Sequence, residues 1–138
     1  MKKVLIVDDY LDFVQCLGEF VKRFNDVECL KFVSPSNALM YILNHKDVDM
    51  LITDYEMPEM NGFMLAQKLL SIHKIDIKVV VCSGHDEETL KELRKMYDLE
   101  GEVEVAHKCD MEFFKNLNIW EEKVYIIYLF FFIKYRNI

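Results

Sequence analysis

Five short apolar runs alternate with five amphipathic stretches along this 138-residue chain, and that alternation leaves few folds open. Residues 3–7 form a β-branched-rich run with no polar alternation, as expected of a strand buried on both faces. Further strands are read at 27–33, 48–53, 77–82 and, more weakly, 101–106. Between them, Phe13, Val14, Leu17, Phe20, Val21 and Phe24 recur at three and four, a helical stripe. Ala38, Leu39, Ile42 and Leu43 repeat the pattern, after Ser34 or Ser36 as a cap and Pro35 in the first turn. A loop is expected over 55–62, holding Pro58 and the Asn61-Gly62 turn signal, and a helix over 63–72. A charged helix over 86–97 carries Leu90, Leu93 and Met96 on one side, and a last helix begins near Asp110, its candidate cap. Five β-α units in a row specify an α/β fold: a doubly wound five-stranded parallel sheet with helices on both faces, joined by right-handed crossovers.

The bulk numbers fit one ordinary domain. At 52% apolar and 30% charged residues the chain can bury a core without disulfide or metal staples. The net charge of −7 argues against nucleic acid as a direct partner, because the phosphate backbone calls for a basic face. Cys16, Cys29, Cys82 and Cys109 form no C-x-x-C pair and read as small buried hydrophobes in a reduced compartment. His45, His73, His85 and His107 are scattered at no metal-ligand spacing. The apolar run after Met1-Lys2-Lys3 is too short for a signal peptide and is ended by Asp8 and Asp9, so a cytoplasmic location is expected. Residues 1–122 are read as the domain. Residues 123–138 are read as an apolar extension of the last helix or an association segment. The ten apolar or aromatic residues 124–133 fall short of the ~20 that a membrane span needs, and homodimerisation is the leading expectation for them. Trp120 is read as a packing residue of the last helix.

In an open parallel sheet, ligands bind beyond the carboxyl ends of the strands. There the chain places Asp8 and Asp9 after strand one, Asp54 after strand three, Ser83 after strand four and Lys108 after strand five. Three carboxylates held close repel one another, and protonation or a bound hard cation relieves the repulsion. Carboxylate oxygens, a backbone carbonyl and waters suit Mg²⁺. A lysine and a serine beside them supply a point charge and a donor for the oxygens of a transferring phosphoryl group. Asp54 is the best candidate nucleophile, alone at the end of a central strand with a loop after it to admit a donor. The adjacent Asp8 and Asp9 suit gripping a cation, Asp9 directly and Asp8 through water.

This set resembles the signature of the response-regulator receiver family: Val-Asp8-Asp9, Asp54-Tyr-Glu-Met-Pro58 followed by Gly62, Ser83-Gly84, and Lys108. The likeness covers residues 2 to about 120. It implies a flavodoxin-like sheet of order 2-1-3-4-5. It further implies that Asp54 is phosphorylated by a phosphohistidine on a sensor histidine kinase or histidine phosphotransfer protein. Mg²⁺ would be held by Asp9, Asp54 and the main-chain carbonyl of Glu56, with Asp8 assisting. Ser83 would turn to bond the phosphoryl group, and Lys108 would pair with Asp54 and then with the phosphate. Such a chain catalyses only its own phosphorylation and dephosphorylation. With no DNA-binding output domain, it signals by contacts with an unknown downstream protein.

Two positions depart from the family pattern. Cys109 stands where proline usually follows the lysine, and a trans Lys108–Cys109 peptide is expected. Val105 stands where a tyrosine or phenylalanine usually swings inward, and valine has no ring to swing. The Glu56 carboxylate adds negative charge at the rim. Gly84 leaves space beside Ser83, so the acyl phosphate is expected to be exposed to water. His85 is a candidate influence on the phosphate, and Met57 and Met60 a candidate docking surface for the kinase. Two other readings stand beside the receiver. One is a degenerate receiver acting as an unphosphorylated interaction module. The other is an aspartyl-phosphate phosphohydrolase, which needs an Asp-x-Asp where this chain has adjacent aspartates.

Overall fold

A computed structural model describes residues 1–119. Trp120, the domain boundary at 122 and the apolar segment 124–133 lie outside the described residues. The elements run β1 (Lys2–Val7), α1 (Leu11–Phe24), β2 (Val27–Phe32), α2 (Pro35–His45), β3 (Met50–Asp54) and α3 (Gly62–Gln67). They continue with β4 (Lys78–Ser83), α4 (Glu87–Met96), β5 (Val103–His107) and α5 (Met111–Lys115). The five strands form one parallel sheet in the order β2-β1-β3-β4-β5.

Strand pleating explains the continuous apolar runs. Val4, Ile6, Met50, Ile52, Val80, Cys82 and Ala106 point to one face, where they meet Val14, Leu17 and Val21 of α1 and Phe114 of α5. Their neighbours Leu5, Val7, Leu51, Val79, Val81 and Val103 point to the other, onto Ala38 and Ile42 of α2, Phe63 of α3 and Leu90 of α4. A strand covered on both sides has no use for a polar alternate residue. The order puts β1, β3 and β4 in the sheet interior, so their ends are the most enclosed positions along the carboxyl edge.

Several boundaries differ from the sequence reading. Asn61 and Gly62 are not a turn. The Asn61 side chain caps α3 by accepting from the Met64 N–H at 2.9 Å, and Gly62 is the first helical residue. After Gln67 the helix continues as a π-helical turn, Lys68–Ile72. β3 starts at Met50 because Asp49 is occupied in docking the chain on β1: its N–H donates to the Lys3 carbonyl, and its side chain accepts from the Lys3 N–H. β5 starts at Val103 because Gly101, at φ 78°, is still turning. On α4, Leu90 is buried but Met96 is 80% exposed. Tyr97 takes the inward place, stacking on Phe63 at 5.6 Å and accepting from the Asn61 amide at 2.8 Å.

Other expectations agree with the structure. Ser34, rather than Ser36, caps α2, and Asp110 caps α5 by accepting from Phe113 N–H at 3.1 Å. No helix among the described residues is long and apolar enough to cross a membrane.

Candidate phosphoacceptor site

Asp8 and Asp9 follow β1, Asp54 ends β3, Ser83 ends β4 and Lys108 follows β5. Asp8, Asp54 and Ser83 are buried, while Asp9 is exposed. One carboxylate oxygen from each of Asp8, Asp9 and Asp54 lies within 4.8 Å of the others. The Lys108 ammonium donates to Asp8 Oδ2 at 2.8 Å and lies 3.2 Å from Asp54 Oδ1. Asp8, Asp9, Asp54 and Lys108 therefore converge on one point, with Lys108 leaning on Asp8 more closely than on Asp54, while Ser83 ends the neighbouring strand β4.

Backbone bonds fix this arrangement. Tyr55 N–H donates to the Cys82 carbonyl at 2.8 Å and Lys108 N–H to the Ser83 carbonyl at 2.9 Å, tying the strand ends together. Asp8 Oδ1 accepts from Tyr10 N–H at 2.9 Å, which turns that carboxylate inward. Behind Asp54, a Cβ on Gly62 would meet the Asp54 carbonyl oxygen at 2.5 Å, so α3 can start this close only on glycine. Every peptide bond among the described residues is trans, Lys108–Cys109 included.

The electrostatics are those of an over-acidic pocket. Burial and the Asp8 charge push the Asp54 carboxyl from 3.8 up to about 6, against the pull of Lys108. Burial works to lower Lys108, but Asp8 and Asp54 outweigh it and hold the ammonium above its ordinary range. Three acids against one lysine leave a site short of positive charge. Its donors are hard oxygens, a set that fits Mg²⁺.

Around the rim the structure adds contacts that no sequence pattern announced. His85 Nε2 lies 2.6 Å from Glu56 Oε1, linking the loop after β4 to the loop after β3. Ser83 Oγ accepts from His85 N–H at 3.1 Å, so in this state the hydroxyl is engaged with its own loop. His107 Nδ1 accepts from Cys109 N–H at 3.0 Å, which leaves Nε2 to donate to the Gly84 carbonyl at 3.1 Å. The Phe13 ring centroid is 4.5 Å from Lys108 Nζ. A hollow of about 500 Å³ opens beside the acids, lined by Asp9, Tyr55, Glu56, Met57, Pro58 and Asn61. Met57 thus faces the entrance, while Met60 is buried in the core. Nothing lies within 4 Å of where a Gly84 Cβ would be, so that side is open. Val105 is half-buried against the core under α2–α4.

The expectation of four buried thiols needs correction. Cys82 is buried, and burial pushes its thiol upward, away from reactivity. Cys29 is half-buried, but Cys16 and Cys109 are exposed.

A doubly wound parallel sheet with an acid cluster and a lysine at its carboxyl edge is the arrangement of a receiver-type fold. The chain belongs to the response regulator receiver domain family, which matches residues 4–103. A chemotaxis protein CheY homolog of Campylobacter jejuni is 30% identical over 95 residues, 67% of this chain and 73% of the relative. The transcriptional regulatory protein NatR of Bacillus subtilis is 35% identical over 85 residues, 62% of this chain. The chain spans only 36% of NatR's length. Among solved structures, the chemotaxis response regulator CheY4 of Vibrio cholerae superposes with a TM-score of 0.69 at 21% identity, covering 83% of this chain and 92% of that one. The fold is therefore the flavodoxin-like receiver fold, and the chain is a receiver domain of two-component signalling.

Proposed function

We propose that Asp54 accepts a phosphoryl group from a phosphohistidine and that the chain signals through the protein contacts this alters. The observation that carries the reading is the Asp8–Lys108–Asp54 arrangement, with the lysine 2.8 Å and 3.2 Å from the two carboxylates. An Asp54 oxygen attacks phosphorus, a P–O bond forms, the P–N bond breaks, and the imidazole leaves with the bonding electron pair. Lys108 meets the transferred oxygens. Ser83 leaves His85 N–H and turns its hydroxyl to them. Asp9, Asp54 and the Glu56 main-chain carbonyl would hold Mg²⁺, with Asp8 assisting. Mg²⁺ supplies the positive charge that one lysine cannot.

Receivers take their phosphoryl groups from histidine kinases or histidine phosphotransfer proteins, and the donor here is proposed to be one of these. The hollow beside Asp9 and Met57 is its proposed approach. On this reading the chain turns over no external substrate, and its own contacts are with a downstream protein rather than with DNA. The net charge of −7 supports that exclusion. Residues 123–138 are proposed as an association segment.

A second reading, an unphosphorylated interaction module, draws on Val105 and Cys109, which lack the ring and the proline usual for the family. Amide NMR with Mg²⁺ and beryllofluoride separates the two. The phosphoacceptor reading expects shifts at residues 54, 83 and 108 that Asp54→Asn abolishes; an unchanged wild-type spectrum favours the module.

A further inference from the structure

We propose that Phe13 is a positioning residue for Lys108, its aromatic face holding the ammonium where an incoming phosphoryl group meets it. The inference rests on Asp54 being the phosphoacceptor.

Lys108 has a long, flexible side chain, and its ammonium carries three donors. Asp8 Oδ2 at 2.8 Å and Asp54 Oδ1 at 3.2 Å engage it as an ion-pair clamp. Among the described residues, the Phe13 ring, with its centroid at 4.5 Å, is the further contact the structure gives the charged group. That distance is within the range over which a ring quadrupole attracts a cation. The position follows from α1. Val14, Leu17 and Val21 form the stripe that packs on the sheet. Phe13 sits one residue off that stripe, in the first turn beyond the end of β1, half-buried against the same core.

The choice of ring matters chemically. The pocket already holds three carboxylates within 4.8 Å of one another. A further acid beside Lys108 would neutralise the charge that the phosphoryl oxygens need. An aromatic face attracts the ammonium without accepting a proton or cancelling its charge. It also makes little demand on which N–H faces it, so the contact can persist while the ammonium turns from carboxylate to phosphate. In the transfer step, the new bond runs from an Asp54 oxygen to phosphorus and the leaving group departs with its electron pair. Lys108 donates hydrogen bonds and gives up no proton, so its contribution depends on where it is held.

The bland alternative is that Phe13 only fills space against the core, which leucine or methionine would do as well. The test uses the full chain with Phe13→Tyr, Phe13→Leu and Phe13→Met. The methionine variant offers a longer, adaptable apolar side chain and serves if leucine disturbs folding, and thermal melts of all three confirm a native fold.

The first readout is the NMR shift of the Lys108 ε-methylene protons in the chain without metal or phosphate. A ring current should displace them upfield in wild type and in Phe13→Tyr, and the displacement should vanish in Phe13→Leu and Phe13→Met. The second is the rate of Asp54 phosphorylation by acetyl phosphate with Mg²⁺. It should fall about two- to tenfold in the aliphatic variants and stay within about twofold of wild type in Phe13→Tyr.

Aliphatic variants that react at the wild-type rate would overturn the proposal. So would Lys108 protons with no ring-current displacement, or a folded Phe13→Tyr that fails as badly as Phe13→Leu. A wild type that takes no phosphate at all overturns the acceptor reading and the positioning role with it. The metal-free spectrum then still reports whether the contact exists, so the two failures are distinguishable.

Discussion

Replacing Asp54 by asparagine is expected to stabilise the metal-free protein at neutral pH. Burial and Asp8 raise the Asp54 carboxyl from 3.8 to about 6. Above about pH 6 this carboxylate is ionised in both folded and unfolded chains, and the folded state bears the full cost of holding it. Below about pH 4 it is protonated in both, and the cost is gone. A shift of about two pH units corresponds to roughly 3 kcal/mol as an upper bound. The open mouth of the site lets solvent screen these charges and reduces this to about 1–3 kcal/mol. Asparagine has nearly the same shape, still accepts from Lys108 and carries no charge. Asp54→Asn should therefore melt about 3–10 °C above wild type at pH 7 in EDTA. The gap should narrow as pH falls from about 6 toward 4, and also when Mg²⁺ is added, because the ion binds the native wild type. Thermal melts of both proteins by circular dichroism across that pH range provide the assay. A variant no more stable than wild type at pH 7, or a gap that does not depend on pH, would refute the reasoning.

Three further outcomes follow from other parts of the molecule. Gly62→Ala places a Cβ 2.5 Å from the Asp54 carbonyl oxygen and 3.1 Å from Thr53 Cγ2; urea melts should show a loss of about 1–3 kcal/mol, and no loss would mean that α3 is not held this close. Because the space at Gly84 is open, the acyl phosphate should hydrolyse readily, and a lifetime of many hours in Mg²⁺ would count against an exposed phosphate. If residues 123–138 drive self-association, light scattering should find a dimer for the whole chain and a monomer for one cut after residue 122; two monomers would reject that role.

The fold was legible because its sheet is parallel. Strands buried on both faces are apolar on both sides of the pleat, so 4–7 and 79–82 stand out as unbroken runs, and functional side chains fall where those runs stop. Asp8, Asp54, Ser83 and Lys108 could be selected on that ground. The start of α3 was misread because Asn-Gly signals a turn as readily as a helix cap, and only the close approach to Asp54 decides between them. Met96 shares the helical spacing of Leu90 and Leu93, but a large ring at Tyr97 takes the inward place. The rim contacts were beyond reach for a different reason. Glu56 with His85, and His107 with Gly84, join residues 29 and 23 apart through side chains with no periodic signature. Phe13 read as one more member of an apolar stripe, and its contact with Lys108 exists only once β1 and β5 share a sheet.

The central claim is that Asp54 is the residue that carries phosphate. Intact-mass spectrometry of the chain after incubation with Mg²⁺ and acetyl phosphate measures this directly. Wild type should gain the mass of one phosphoryl group, lose it on treatment with hydroxylamine, and show no gain when Asp54 is asparagine. A wild type that gains nothing, or a gain that survives Asp54→Asn, would contradict the assignment.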